Sequence, residues 1–425
     1  MESHVAASKI KLIKALEYSV SAVAPYIASR ASVDFHPSGS AVYAGQNGSK
    51  VCRFELGANV GAFLDLSTLY VSGTVFNTSD KEIQFLSPSL SGSLSSARVV
   101  ISGVEVSSCD YIARTEELLS RLGSNDERRA DFEAGFGLKA AAATDIYGQY
   151  ETNPIPVNGN RNVTWRPKTL GILNCTSYLP LSLLSSPFIL ELTFADDLKS
   201  GLNTGSPYGE SYSVSDMICH CDTLSVDSSF LTSISQHILS GHALNLMYQN
   251  IQTSYYAMLS PSTQIAHARS ASRLNSVMLT LGKADVAGGK DKSQVQLLYP
   301  KGNALKSRIT IGEKRVPATQ DLRGSSMTYR KLIGLVGNGM HDGGGSCAIT
   351  REEFEKDSFI IPFDLESAGV VAQHSGVSTS NSPLNIFMED AFVPTEAERR
   401  PNAVYVHTNS DALLQLSKLG ATLSM

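Results

Sequence analysis

Cys219-His220-Cys221 is the densest run of potential metal ligands in the chain, and thiolate with imidazole is the donor set that zinc takes. Its spacing argues against a metal. In an extended strand, alternation sends Cys219 and Cys221 to one face and His220 to the other, so three ligands cannot converge on one ion. No second Cys or His pair stands at zinc spacing, and the expectation is two buried thiols beside an outward histidine. The run from Gly334 to Gly345 invites a phosphate-loop reading, but Asp342 replaces the third glycine of the dinucleotide pattern. No Gly-Lys-Ser/Thr follows it, which leaves a surface loop. Asp196-Asp197, Glu116-Glu117 and Glu352-Glu353 are carboxylate neighbours in sequence, which do not face one another. Neither a Gly-x-Ser-x-Gly elbow nor an HExxH helix occurs. The expectation is no enzyme, no catalytic residue, no metal and no cofactor. The remaining candidates are cationic: Lys9, Lys11 and Lys14, as contacts of an N-terminal arm.

The elements that would carry these residues are mostly strands. In residues 1–30, Ile10, Ile13, Leu16 and Val20 recur at near-helical spacing until Pro25, giving a helical arm. That arm either packs beneath its own domain or faces a membrane or nucleic acid. Strands are expected at Val51–Leu56, Phe63–Phe76, Arg98–Val106, Arg161–Arg166 and Phe188–Ala195, separated by Gly, Ser, Asn and Pro clusters. In the last of these, Phe188, Leu190, Leu192 and Phe194 fall on one face. Asp110–Leu122 and Asp126–Ala134 read as helices, with Leu118, Leu119 and Leu122 set against Arg114, Glu116, Glu117 and Arg121. An excursion of that kind between strands is expected to be a surface elaboration.

Tyr178–Gly241 divides the chain into two β-rich halves. After a proline-bounded strand and a second strand at Met217–Val226, Asp227 or Ser228 can cap a helix from Ser229 to Leu239, which Gly241 stops. Phe230, Ile234 and Ile238 form its apolar face. Beyond it, His242–Ile251, Leu274–Leu281, Gln294–Tyr299, Arg308–Ile311, Phe359–Phe363, Leu384–Glu389, Val404–His407 and Leu413–Leu416 read as short strands, with an acidic helix around Glu352–Lys356. Many short strands with turn signals imply sandwiches or jelly rolls.

Composition agrees. A charged fraction of 18% is low, and short hydroxyl side chains, which sheets tolerate, take up the difference. The net charge of −5 does not describe a protein coated for nucleic acid. No apolar run reaches the roughly 20 residues that a membrane helix needs, and Lys9, Lys11 and Lys14 interrupt any secretory signal. Six scattered cysteines suggest free thiols.

In this order of elements the chain resembles the major capsid proteins of double jelly-roll double-stranded DNA viruses, the virophage, polinton-like and related lineages. The residues that carry the likeness are Leu224-Ser225-Val226-Asp227, the helix Ser229–Leu239 and then His242-Ala243-Leu244-Asn245-Leu246. Leu179-Pro180-Leu181 and Leu190-Glu191-Leu192-Thr193-Phe194 precede them. Asn402 to His407 followed by Asp411 to Leu416 resembles the family's closing pair of strands, and Phe54-Glu55-Leu56 with Phe63-Leu64-Asp65-Leu66 its opening strands.

The resemblance implies an all-β fold of two tandem eight-stranded jelly rolls with a short linking helix, a helical loop insertion and an N-terminal helical arm. The domains would be arm 1–31, first roll 32–227 with the insertion at about 107–160, linking helix 228–241 and second roll 242–425. It implies a structural protein of the virion, assembled in the host cytoplasm or nucleus. Homotrimers would form pseudo-hexagonal capsomers that tile an icosahedral shell, with penton or minor capsid proteins as partners. The arm would touch an inner membrane or the genome, and the insertion with the loops around Gly282 and Gly334 would be tower or intercapsomer elements. Two other readings share the strand cadence. One is a single-shell capsid protein of a small RNA virus with a protruding β domain, for which three lysines are few phosphate contacts. The other is a non-viral tandem β-sandwich binding protein.

Overall fold

The computed structural model describes residues 27–44, 48–57, 62–139, 152–196, 202, 208–282, 297–300, 304–336, 349–356, 358–366, 376–380, 382–391, 401–417 and 420–424. Two antiparallel sandwiches follow one another along the chain. In the first, strands β1 (Ile27–Phe35), β2 (Val42–Ala44), β3 (Val51–Leu56), β4 (Ala62–Asn77), β5 (Leu94–Ile101) and β6 (Val104–Asp110) precede helices α1 (Ile112–Leu122) and α2 (Asn125–Ala134). Strands β7 (Asn160–Trp165), β8 (Leu179–Pro180), β9 (Phe188–Phe194) and β10 (Tyr212–Val226) complete it. One sheet has the order β1-β10-β4-β7 and the other β3-β9-β5-β6.

After α3 (Ser228–Leu239), the second sandwich runs β11 (Leu244–Ala257), β12 (Thr263–His267), β13 (Leu274–Gly282), β14 (Lys306–Ile311), β15 (Lys314–Val316) and β16 (Leu322–Arg323). Helices α4 (Gly324–Leu335) and α5 (Arg351–Phe354) come next, then β17 (Ile360–Asp364), β18 (Leu384–Glu389), β19 (Ala403–Ser417) and β20 (Gly420–Ser424). Its sheets are β11-β19-β13-β17 and β12-β18-β14-β15. Position by position this is the strand order of the first sandwich, which makes the fold a tandem jelly roll.

Alternation builds each sheet. In β9, Phe188, Leu190, Leu192 and Phe194 enter the core while Glu191 stays outside, 2.7 Å from Arg98 on β5. In β3, Cys52, Phe54 and Leu56 turn inward. Trp165 is buried in β7 as a packing residue. Where the sequence suggests one strand over Arg98–Val106 there is a hairpin instead. Ser102 and Gly103 take positive φ (51° and 81°), the backbone twist that a two-residue turn between strands requires. The closing pair of strands is in fact one strand of fifteen residues, β19, which pairs with the whole of β11 and turns back into β20. Gly334 and Leu335 belong to α4, a helix that the glycine run concealed; 337–345 lie outside the described residues.

Candidate functional site: the joint between the two rolls

The feature that sets this molecule apart from two beads on a string is α1. Tyr111 enters it in the left-handed region (φ 58°), and ten of its eleven residues are buried. An amphipathic helix on one core would bury one stripe; this one is covered on two sides. On the side of the second roll, Leu118 and Leu122 join that roll's core with Leu279, Leu281 and Val406. Arg114 is 1% exposed. Its Nε donates to Thr280 Oγ1 (3.0 Å), its Nη2 to the Leu281 carbonyl (2.8 Å), and its Cζ lies 3.9 Å from the Tyr405 ring centre. Burial pulls the Arg114 guanidinium down to about 10, because the charge has left water. Arg121 donates to Ser358 Oγ, two residues before β17 of the second roll.

These contacts belong to one directional chain. Thr280 Oγ1, already accepting from Arg114, donates to His407 Nε2 (2.9 Å). That leaves the proton on Nδ1, which donates to Thr253 Oγ1 (2.8 Å). Thr253 donates to Thr115 Oγ1 (2.7 Å), and Thr115 to the Tyr111 carbonyl (3.2 Å). The relay starts and ends on α1 and passes through β13, β19 and β11. Burial, and then the neighbouring Arg114 charge, hold His407 neutral.

On the other side α1 belongs to the first roll. The Glu116 carboxylate accepts the Thr169 N–H (2.9 Å), and burial pushes it up to about 7. Glu117 accepts from Arg121 (2.5 Å) and from Arg128 of α2 (3.4 Å). Beside the helix, the lower ends of β11 and β19 cross into the first roll's core: Leu246, Tyr248, Ala412, Leu414 and Leu416 pack there. Tyr248 Oη donates to the Val106 carbonyl, and Ser107 Oγ to Asn250 Oδ1 (3.0 Å). At Gly171 a Cβ would lie 1.7 Å from the Gln249 carbonyl oxygen, so only glycine lets these two backbones meet.

The insertion expected as a surface tower is therefore corrected for α1, which is the centre of the joint. The linking helix stands where it was expected, with a smaller part in the joint. Asp227 caps α3 as expected, accepting from the Ser229 hydroxyl (2.9 Å), and Gly241 (φ 94°) stops it. Yet no residue of α3 is fully buried, and Phe230 meets Phe63 in a tilted ring contact at 6.3 Å. It connects the rolls covalently without holding them together.

Of the other sequence candidates, Cys219 and Cys221 point into the core, where burial pushes both thiols up, Cys221 to about 12. His220 turns outward, and no metal-binding group of His, Cys, Asp and Glu occurs among the described residues. Lys9, Lys11 and Lys14 lie outside the described residues.

No family model matches the sequence, and no curated protein matches it. Solved structures do. The VP54 protein of PBCV-1, fitted into a cryo-EM reconstruction of the virophage Sputnik, superposes with a TM-score of 0.64 at 12% identity, covering 96% of this chain and 99% of that one. The two chains run in parallel through both sandwiches. The fold is the double jelly roll of viral capsid proteins. The 3.5 Å Sputnik virophage structure (TM-score 0.59, 12% identity, 95% and 89% covered) and the Faustovirus major capsid protein (0.57, 8%, 92% and 91%) share this double jelly roll.

Proposed function

We propose that this chain is the major capsid protein of an icosahedral double-stranded DNA virus, three copies forming a pseudo-hexagonal capsomer that tiles the shell. The observation that carries the reading is the end-to-end correspondence with capsid proteins, 96% of this chain against 99% of PBCV-1 VP54. The joint supports it physically. A capsomer must present six rolls in fixed orientation, and a subunit whose two rolls share buried polar and apolar contacts arrives already oriented. A cyclic trimer then closes its own interfaces. This role asks for no chemical step and no cofactor.

Within this reading, residues 1–31 are an arm whose Lys9, Lys11 and Lys14 face an inner membrane or the genome, although strand β1 already begins at Ile27. The rolls occupy 32–227 and 242–425, with 228–241 between them. Penton or minor capsid proteins are the remaining partners, and the virion is the protein's destination. Light scattering with electron microscopy of the purified chain is the test: trimers and hexagonal capsomers are expected. A chain that stays monomeric at every concentration and forms no particles would overturn it. Deleting residues 1–26 tests the arm separately, with trimers retained and genome or membrane content lost.

A further inference from the structure

On the outer face of the first roll, three adjacent strands bring together side chains that are far apart in sequence. Asp34 of β1 stands opposite His220 of β10, and β10 pairs on its other edge with β4, which carries Ser72. His220 Nδ1 is 2.6 Å from Asp34 Oδ1, and His220 Nε2 is 2.8 Å from Ser72 Oγ. Tyr70 stacks on the imidazole at 4.5 Å and fixes its plane. This is the arrangement of a hydroxyl nucleophile, a base in reach of it, and a carboxylate that sets the base's tautomer. The side chains of His220 and Asp34 are 17% and 57% exposed, so a small substrate can reach them.

The strand beside Ser72 is irregular in a useful way. The β4–β10 register passes from Thr74–Ser215 to Ser72–Ile218, so Asp216 and Met217 oppose the single residue Gly73. A bulge of this type takes the extra residue out of the ladder and sharpens the local twist of the strand beside Ser72. It is built in: Asp216 takes φ 52°, and a Cβ on Gly73 would lie 2.6 Å from Met217 Sδ. The charged groups on these strands are Asp34, which meets the imidazole, Asp216, whose carboxylate accepts from Ser215 Oγ (2.9 Å), and the Arg30–Asp222–Asp65 cluster.

We propose that Asp34, His220 and Ser72 form a surface relay through which Ser72 takes an acyl group from activated carboxylic esters. Ser72 Oγ attacks the carbonyl carbon as its proton passes to His220 Nε2, and Asp34 steadies the imidazolium. Collapse expels the alcohol, which leaves with that proton, and Ser72 keeps the acyl group as an ester. A water deprotonated by the same nitrogen then releases the acid and restores the hydroxyl.

The test uses the purified full-length chain with p-nitrophenyl acetate and, separately, with a fluorophosphonate serine probe over a pH series. One adduct is expected, on the peptide that holds Ser72, forming more slowly toward acid pH. Ser72→Ala should abolish it, His220→Gln should slow it about a hundredfold, and Asp34→Asn should slow it less. All three positions face outward, so melting midpoints measured alongside should not move. Wild-type labelling no faster than that of Ser72→Ala, or an adduct at another residue, would overturn the proposal. So would a rate indifferent to His220→Gln.

Discussion

Both rolls place helices at the same point of the strand order, between their sixth and seventh sandwich strands, and use them in opposite ways. In the second roll, α4 stays at home: Leu332 and Leu335 enter their own roll's core, and Tyr329 packs on Phe354 at 5.2 Å. Only four of its twelve residues are buried. In the first roll, α1 keeps its place on its own sandwich through Ile112 and Glu116 and at the same time seals the neighbour's sheet. Strand β13, directly beneath, is consequently buried on both faces. The same slot thus serves once as a local cover and once as a bridge. The difference lies in which partner is available, since only the first roll has a sheet downstream of it to grip.

Arg114→Ala is the severest way to break this contrast. It strips the relay of its first donor, leaves the Leu281 carbonyl buried without that N–H, and opens a cavity against Tyr405. A loss of about 3–5 kcal/mol is expected by guanidinium denaturation. Hydrogen exchange should rise in α1 and β13 together. Leu332→Ala in α4 should cost a comparable amount but raise exchange only within the second roll. If Arg114→Ala left β13 protected, the bridge would not be the element that couples the rolls.

The attachment of α1 to the first roll should also respond to pH, in the opposite direction from a buried histidine of the second roll. Glu116 is raised in the fold to about 7 by burial, above its ordinary 4.5. Its contribution is therefore complete below 4.5 and is lost as pH climbs through 7. Glu116→Gln keeps an acceptor for the Thr169 N–H and removes the charge. At pH 8 it should be more stable than the wild type by about 3 kcal/mol, and at pH 4 no more stable. His267 runs the other way. Burial first, and then Arg269, pull it down to about 4 from 6.5, so its contribution is complete above 6.5 and is lost as pH falls through 4. At pH 5 the wild type should have lost about 2 kcal/mol that His267→Gln does not lose. Melting curves at pH 4, 5 and 8 check both.

The strands were legible because their alternation is local: β3, β9 and β18 can be read from period two alone. The joint was not. Arg114, Glu116, Glu117 and Arg121 read as the wet face of a surface helix, since nothing nearby in sequence announces Thr280, Thr169 or Ser358 as partners. Thr408-Asn409-Ser410-Asp411 looked like a loop splitting β19 for the same reason. All four are buried, and Asp411 accepts from Asn275 (2.7 Å), which is 136 residues away. Asp34 and Ser72 carry no signal until strand register sets them beside His220. Polar residues are misread wherever their partners come from distant strands.

The smallest expected effect is the most discriminating test of the linking helix. If α3 were the post that holds the rolls, removing its cap would weaken the whole chain. Asp227→Ala deletes the acceptor for the Ser229 hydroxyl and N–H and so frays the first turn. Because α3 buries no residue fully, its unfolding uncovers little apolar surface, and global stability has little to lose. The melting midpoint should stay where it is while amide exchange quickens across 228–239 alone. A fall in the midpoint would return the load to α3 and to its half-buried face, Phe230, Ile234 and Ile238.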